Sequence, residues 1–169
     1  RRVAVCHASG ILTAKALEPL RRQGATVFSF HPLQTFPRDF KPRDIIESAR
    51  GIYYGVDGSP RALCAARRLA KALGGKTIVI PPHMRVFYHA ACVVASNHLT
   101  AMMSILEHMS HTLRRNTSKK NFFPLFKPII MATLQNVETT SPASALSGPV
   151  ARGGSDTVAD HFASIQRYA

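Results

Sequence analysis

From Met84 to Thr112 the chain runs without a proline or glycine, further than most helices of globular proteins extend. At about 100° per residue, His89, Val93, Ser96, Thr100 and Met103 share one stripe, and Cys92, Ala95, Leu99, Met102 and Leu106 cover much of the rest. A helix that is apolar nearly all round has to be buried on several sides. The remainder of the 169 residues is too small to surround it easily. The pattern therefore predicts a homodimer through residues 84–112, with Cys92, Ala95, Leu99 and Met102 in the interface.

Pro81-Pro82 separates this helix from a different kind of sequence. Val3–His7, Thr26–Phe30, Ile52–Val56 and Lys76–Ile80 are β-type runs. Between them, Thr13 is a plausible N-cap for a helix to about Gln23, Asp44–Arg50 suits a short helix, and Ser59-Pro60 opens a third. That third helix carries Leu63, Ala66, Leu69, Ala70 and Leu73 on one face and Arg67, Arg68 and Lys71 on the other, and Gly74-Gly75 ends it. Strands alternating with helices predict an α/β piece with a mostly parallel sheet over residues 1–81. An all-helical piece follows over residues 82–169, with helices near 124–137 and 156–168, a short one at Ser141-Pro142 and a loop at 148–154.

The strand Thr26–Phe30 drives into His31-Pro32-Leu33-Gln34-Thr35-Phe36-Pro37. Pro32 forces His31 into an extended conformation and ends the strand. His31 thus stands at the carboxyl edge of a sheet, where ligands bind in open α/β folds, with Gln34 and Thr35 close behind it. A polar loop capping a sheet explains the same residues without any ligand.

Charge and cysteine usage narrow the setting. With 22 Lys+Arg against 9 Asp+Glu, the net charge is +13 and the pI near 10.5, which suggests a polyanionic neighbour such as RNA. The densest run is Arg114, Arg115, Lys119, Lys120 and Lys127. Cys6, Cys64 and Cys92 are odd in number and far apart, which argues against a disulfide framework or a zinc site. They predict a reducing compartment, the cytoplasm, with an organellar matrix as the alternative. His108 and His111, at i and i+3, lack a third ligand, so no metal is expected. No apolar run looks long and uncharged enough to span a bilayer. The chain opens on Arg1-Arg2 without an initiator methionine, as a fragment or processed product would.

Four stretches, in order, carry a resemblance: His7-Ala8-Ser9-Gly10, His31 to Phe36, Tyr88-His89-Ala90-Ala91 through Ser96-Asn97-His98, and Leu146 to Gly153. Together they resemble an uncharacterised family of Rossmann-type NAD(P) oxidoreductases with a helical C-terminal domain. That family is similar to the 6-phosphogluconate dehydrogenase, prephenate dehydrogenase and pyrroline-carboxylate reductase group. The resemblance implies the C-terminal half of a Rossmann-type parallel sheet followed by a helical domain, and hydride transfer between NAD(P) and a small hydroxy- or keto-acid-like substrate. It implies that His31 orients or deprotonates the substrate hydroxyl, and that Ser9 and Gly10 lie beside the cofactor. It places His89, Ser96 and Asn97 at the substrate, and a buried polar pair satisfied across a dimer interface is the alternative; helical spacing turns His98 opposite His89.

Arg152, in its glycine-rich loop, suits a substrate carboxylate and equally a plain surface position. The chain departs from the pattern at Gly154, where relatives have an acidic residue, and has no match to the G-x-G-x-x-G turn that cradles pyrophosphate. Alone it is expected to bind a dinucleotide poorly. A non-catalytic structural or binding subunit, derived from the same family, is the alternative reading.

Overall fold

The computed structural model describes residues 3–114 and 123–168. Its first part is an α/β sheet: β1 (Ala4–His7), α1 (Glu18–Arg22), β2 (Thr26–Pro32), α2 (Pro42–Ser48), β3 (Tyr53–Gly58), α3 (Pro60–Ala72) and β4 (Lys76–Val79). Helices follow: α4 (Arg85–Val93), α5 (Leu99–Arg114), α6 (Phe123–Thr139), α7 (Pro142–Ala145), α8 (Gly148–Ala151) and α9 (Ser155–Tyr168). This is the α/β fold with a helical part that the alternation of patterns implies.

The four strands lie in the order β1-β2-β3-β4. β1 pairs with β2, and β3 with β4, in parallel. β2 and β3 run antiparallel, with His31 opposite Gly55 and Pro32 opposite Tyr54, so the sheet is mixed rather than parallel throughout. The connection between them explains the reversal. It holds only the seven-residue helix α2 and returns to the end it left, where the Leu33 amide donates to the Tyr53 carbonyl at 2.9 Å.

The core forms where α3 lies on β2 and β3. Phe28, Phe30, Tyr54 and Val56 pack beneath Ala62, Ala66 and Ala70. The Phe30 ring stacks on Tyr54 at 4.3 Å, and Phe28 meets Phe30 edge-on at 6.1 Å. The buried stripe of α3 is thus its alanines, at i, i+4 and i+8. Leu69 and Leu73, expected inward, are partly exposed at 36% and 40%. Small side chains let the helix ride close to the sheet, and a Cβ added at Gly58 would stand 3.0 Å from the Ala62 Cβ. Ser59 caps this helix, accepting the Ala62 amide, with Pro60 in the first turn.

Three further local expectations are modified. The helix expected after Thr13 is a 3-10 turn, Ala14–Leu17, that passes into α1. Pro19 has no N–H to continue a helix begun at Thr13, and it occupies the first turn of α1 instead. The long helix expected over 84–112 is divided by a wide π turn at Val94–His98. Within the expected loop at 148–154, Pro149 starts the short helix α8.

The chain divides into two compact units, residues 1–99 and 100–169. The division falls beyond Pro81-Pro82, inside the helical stretch. Among the described residues every buried apolar side chain, from Ala14 to Ile80, belongs to the first unit, and in the second only Ser110 is buried. Contrary to the expectation from sequence, Pro82–Leu113 is long and apolar enough by length and composition to cross a membrane, at a mean hydropathy of 1.2. Its alanines, valines and methionines outweigh Arg85, Glu107 and the histidines in that average. Core helices of water-borne proteins pass the same test.

Candidate active site

β2 ends on His31 and Pro32, and α4 brings Tyr88 and His89 to meet them. His31 Nδ1 and the Tyr88 hydroxyl share a hydrogen bond of 2.9 Å, their rings perpendicular at 5.6 Å. The His89 ring stands 6.1 Å from that of His31. Gly10, from the loop after β1, fits between the two imidazoles. A Cβ there would lie 2.5 Å from His89 Nδ1 and 2.9 Å from His31 Nε2. The absence of a side chain at Gly10 therefore serves the histidine pair.

One buried cation holds this arrangement. Arg85, 1% exposed, donates to the carbonyls of Ser9 (3.0 Å) and Gly55 (3.3 Å) and lies 3.7 Å from the Asp57 carboxylate. Asp57 in turn accepts from the Ala14 amide and the Ser29 hydroxyl, each at 2.7 Å. The network joins α4 to the loop after β1 and to strands β2 and β3. Two buried polar atoms, Arg85 Nε and His89 Nδ1, have no hydrogen-bond partner among the described residues.

A cleft of about 300 Å³ opens beside the pair. The end of β2 lines it with His31, the loop after β2 with Gln34 and Thr35, and the helical side with His89, Ser96 and Asn97. In an unbroken helix Asn97 would point about 80° away from His89. The helix is wound more widely through the π turn at Val94–His98, and His89 and Asn97 both line the cleft. Gln34 is engaged at both ends, its oxygen accepting the Thr35 amide at 2.8 Å and its nitrogen donating to the Ser48 carbonyl at 3.3 Å. It shapes the loop as well as facing the cleft.

The electrostatics favour a neutral site. Burial, reinforced by Arg85 and His89, pushes His31 below the usual imidazole range. Burial first, and the Cys92 thiol one turn on, push the Tyr88 phenol above its usual value. At neutral pH His31 is an uncharged imidazole and Tyr88 an intact phenol.

The other expected site residues are placed as follows. Ser9 is not among the residues lining the cleft. Its hydroxyl accepts the Leu12 amide at 3.1 Å, and its carbonyl binds Arg85. Arg152 belongs to the second unit, where it is exposed at the end of α8. Of the basic run, Arg115, Lys119 and Lys120 lie outside the described residues, and for Arg114 only the backbone is described. Sequence reasoning missed Arg85 and Tyr88 as site residues. Their spacing with His89 and Cys92, at i, i+3, i+4 and i+7, is the signal that would have found them.

A dinucleotide's pyrophosphate needs free backbone amides at a glycine-rich turn that opens a helix. The turn into α3 does not fit. Pro60 has no N–H, Ser59 takes the Ala62 amide, and the space over Gly58 is filled by Ala62, Val27 and Phe28. Gly10 is likewise closed in by the two imidazoles. The described residues hold no pyrophosphate cradle of their own.

These features define a class, an α/β Rossmann-like fold with a helical part and a histidine at a strand end. Residues 52–169 match a family described as a domain of unknown function, DUF2520, and the chain belongs to that family. Two solved structures share the fold. Protein TM1727 of Thermotoga maritima is 24% identical with a TM-score of 0.70, over 97% of this chain and 61% of that one. A Bacteroides fragilis protein named "putative NADP oxidoreductase BF3122" is 17% identical with a TM-score of 0.74, over 96% of this chain and 57% of that one. The chain thus spans about three fifths of the length of either neighbour. No curated protein matches it.

The Gly10 geometry yields a direct test. Gly10→Ala is expected to lower stability by about 1–3 kcal/mol, as overpacking of a close contact does, and to shift the ring resonances of both His31 and His89. Urea unfolding with NMR of the histidine side chains checks this. An unchanged midpoint and unchanged histidine signals would refute the wedge.

Proposed function

We propose that this chain carries the substrate-facing part of an NAD(P)-dependent oxidoreductase, with His31 at the reacting oxygen of a small hydroxy- or keto-acid-like substrate. The observation that carries this reading is the neutral, half-buried His31 at a strand end, hydrogen-bonded to Tyr88 and lining a cleft with His89 and Asn97. An imidazole so placed can orient a substrate hydroxyl or carbonyl and exchange a proton with it. Ser96, Thr35 and Gln34 offer neutral polar contacts to the rest of the substrate.

Support for the cofactor class comes from the name of the Bacteroides fragilis neighbour and from the motif order. That order also underlies the proposed kinship with the 6-phosphogluconate dehydrogenase group. A bound nicotinamide, beside Ser9 and Gly10, would supply or accept the hydride. Its pyrophosphate has no seat among the described residues, so its binding is assigned to the rest of the whole protein. The alternative reading, a non-catalytic structural or binding subunit beside RNA, draws on the net charge of +13 and on the lack of a pyrophosphate cradle among the described residues.

The decisive experiment measures nicotinamide oxidation or reduction by the whole protein against a panel of hydroxy and keto acids. His31→Ala is expected to lower the rate by about 10²–10⁴-fold. Turnover indifferent to that change would remove His31 from the chemistry.

We also propose that a second copy of the chain covers the helical part. Met102 (59% exposed), Ile105 (56%) and Leu113 (55%) on α5 share one side of the helix with Leu99 and Met109, and among the described residues none of the second unit's apolar side chains is buried. Obligate interfaces of this kind commonly exceed about 2,000 Å². Sedimentation should show a dimer at micromolar concentration, and a stable monomer there would contradict the proposal.

A further inference from the structure

His31 has two ring nitrogens, and the structure engages one of them. Nδ1 meets the Tyr88 hydroxyl at 2.9 Å, whereas Nε2 makes no hydrogen bond among the described residues. A phenol and a neutral imidazole can pair in two directions. The imidazole lone pair is a far better acceptor than a phenolic oxygen, and the phenol is the more acidic donor, so the hydroxyl donates to Nδ1. Its alternative acceptor is the Cys92 sulfur one turn on, a weak one.

The hydroxyl is not free to turn elsewhere. It is lodged over the backbone of Gly55, where an added Cβ would stand 2.5 Å from the Tyr88 oxygen. One turn earlier, Arg85 fastens α4 to the carbonyls of Ser9 and Gly55. Charged groups are also absent from the cleft wall, since no lysine, arginine, aspartate or glutamate lines it among the described residues.

We propose that Tyr88 is a positioning residue that keeps the neutral His31 imidazole protonated at Nε2, so that the cleft presents a hydrogen-bond donor and takes a carbonyl compound in preference to an alcohol. The inference rests on the reading of His31 as the residue at the substrate oxygen. His31 then acts by donating a hydrogen bond to the carbonyl oxygen and to the negative charge that grows on it as the carbon is reduced. Donors aimed at a developing oxyanion are among the larger contributors to catalysis. The alkoxide left when hydride reaches the carbon takes its proton through Nε2–H, and the ring regains one from solvent water at the open cleft.

Nitrogen-15 NMR of His31 tests the assignment without substrate or cofactor. In the parent protein at neutral pH the Nε2–H tautomer should dominate. In Tyr88→Phe its ratio to the Nδ1–H form should fall about 2- to 10-fold, the worth of one net hydrogen bond. The titration of His31 should also move to higher pH, because the phenol no longer favours the neutral ring. His89 and Arg85, which face His31, remain in place as internal controls. A dominant Nδ1–H form in the parent, or an unchanged ratio and titration in Tyr88→Phe, would overturn the proposal. If the phenylalanine variant does not fold, ring-fluorinated tyrosine at position 88 serves instead: its more acidic hydroxyl should raise the ratio, and an unchanged ratio there would overturn the proposal. The two readings fail separately. Turnover indifferent to His31→Ala removes the proposed function whatever the tautomer, and the wrong tautomer in an enzyme that depends on His31 removes only the role of Tyr88.

Discussion

A guanidinium that is 1% exposed has lost nearly all its hydration and must recover it from the protein. Arg85 does so with the carbonyls of Ser9 and Gly55 and the carboxylate of Asp57. These acceptors come from the loop after β1 and from β3, and Asp57 is itself tied to Ser29 on β2. Four segments distant in sequence are thereby registered by one side chain. A buried ion pair adds little net stability compared with a well-packed apolar group, but removing one member leaves the other stranded. The position of α4 over the strand ends, and with it the meeting of His31, Tyr88 and His89, depends on this charge.

Close approach is the second condition, and small residues meet it. Gly10 admits the two imidazoles, Gly55 admits the Tyr88 hydroxyl, and Ala62, Ala66 and Ala70 let α3 lie close on β2 and β3. At both glycines a methyl group would stand within 3 Å of a side-chain atom of the site. The cleft is thus shaped as much by missing side chains as by the polar groups that line it. Its polarity is neutral because the cation beside it is turned to the Ser9 and Gly55 carbonyls and to Asp57, and its histidine is held below the usual imidazole range.

The strand ends and the cap of α3 were legible because they rest on local chemistry. Pro32 closes β2, and Ser59-Pro60 opens α3, as their backbone constraints require. The reversal between β2 and β3 was not legible, since parallel and antiparallel pairing of short apolar strands differ through the path of the connection. Of the inward face expected for α3, Ala66, Ala70 and Leu63 pack on the core, whereas Leu69 and Leu73 are partly exposed, because the depth of contact favours the smaller side chain. His31, Gln34, His89 and Asn97, which line one cleft, were singled out by strand-end position and resemblance. Tyr88 and Arg85 were not, because a buried arginine looks in sequence like any other of the 22 cations. The π turn at Val94–His98 leaves no mark in a periodicity that assumes a constant pitch.

The central claim is that Arg85 fixes α4 and so assembles the site. Arg85→Met tests it most directly, since methionine keeps much of the length and apolar stem but carries no charge. Equilibrium unfolding of the variant should show a loss of about 3–5 kcal/mol, as expected when one member of a buried ion pair is removed. Amide hydrogen exchange, followed in the same samples, should show α4 opening before β2 and β3. A variant as stable as the parent, with α4 protected as well as the strands, would contradict the account.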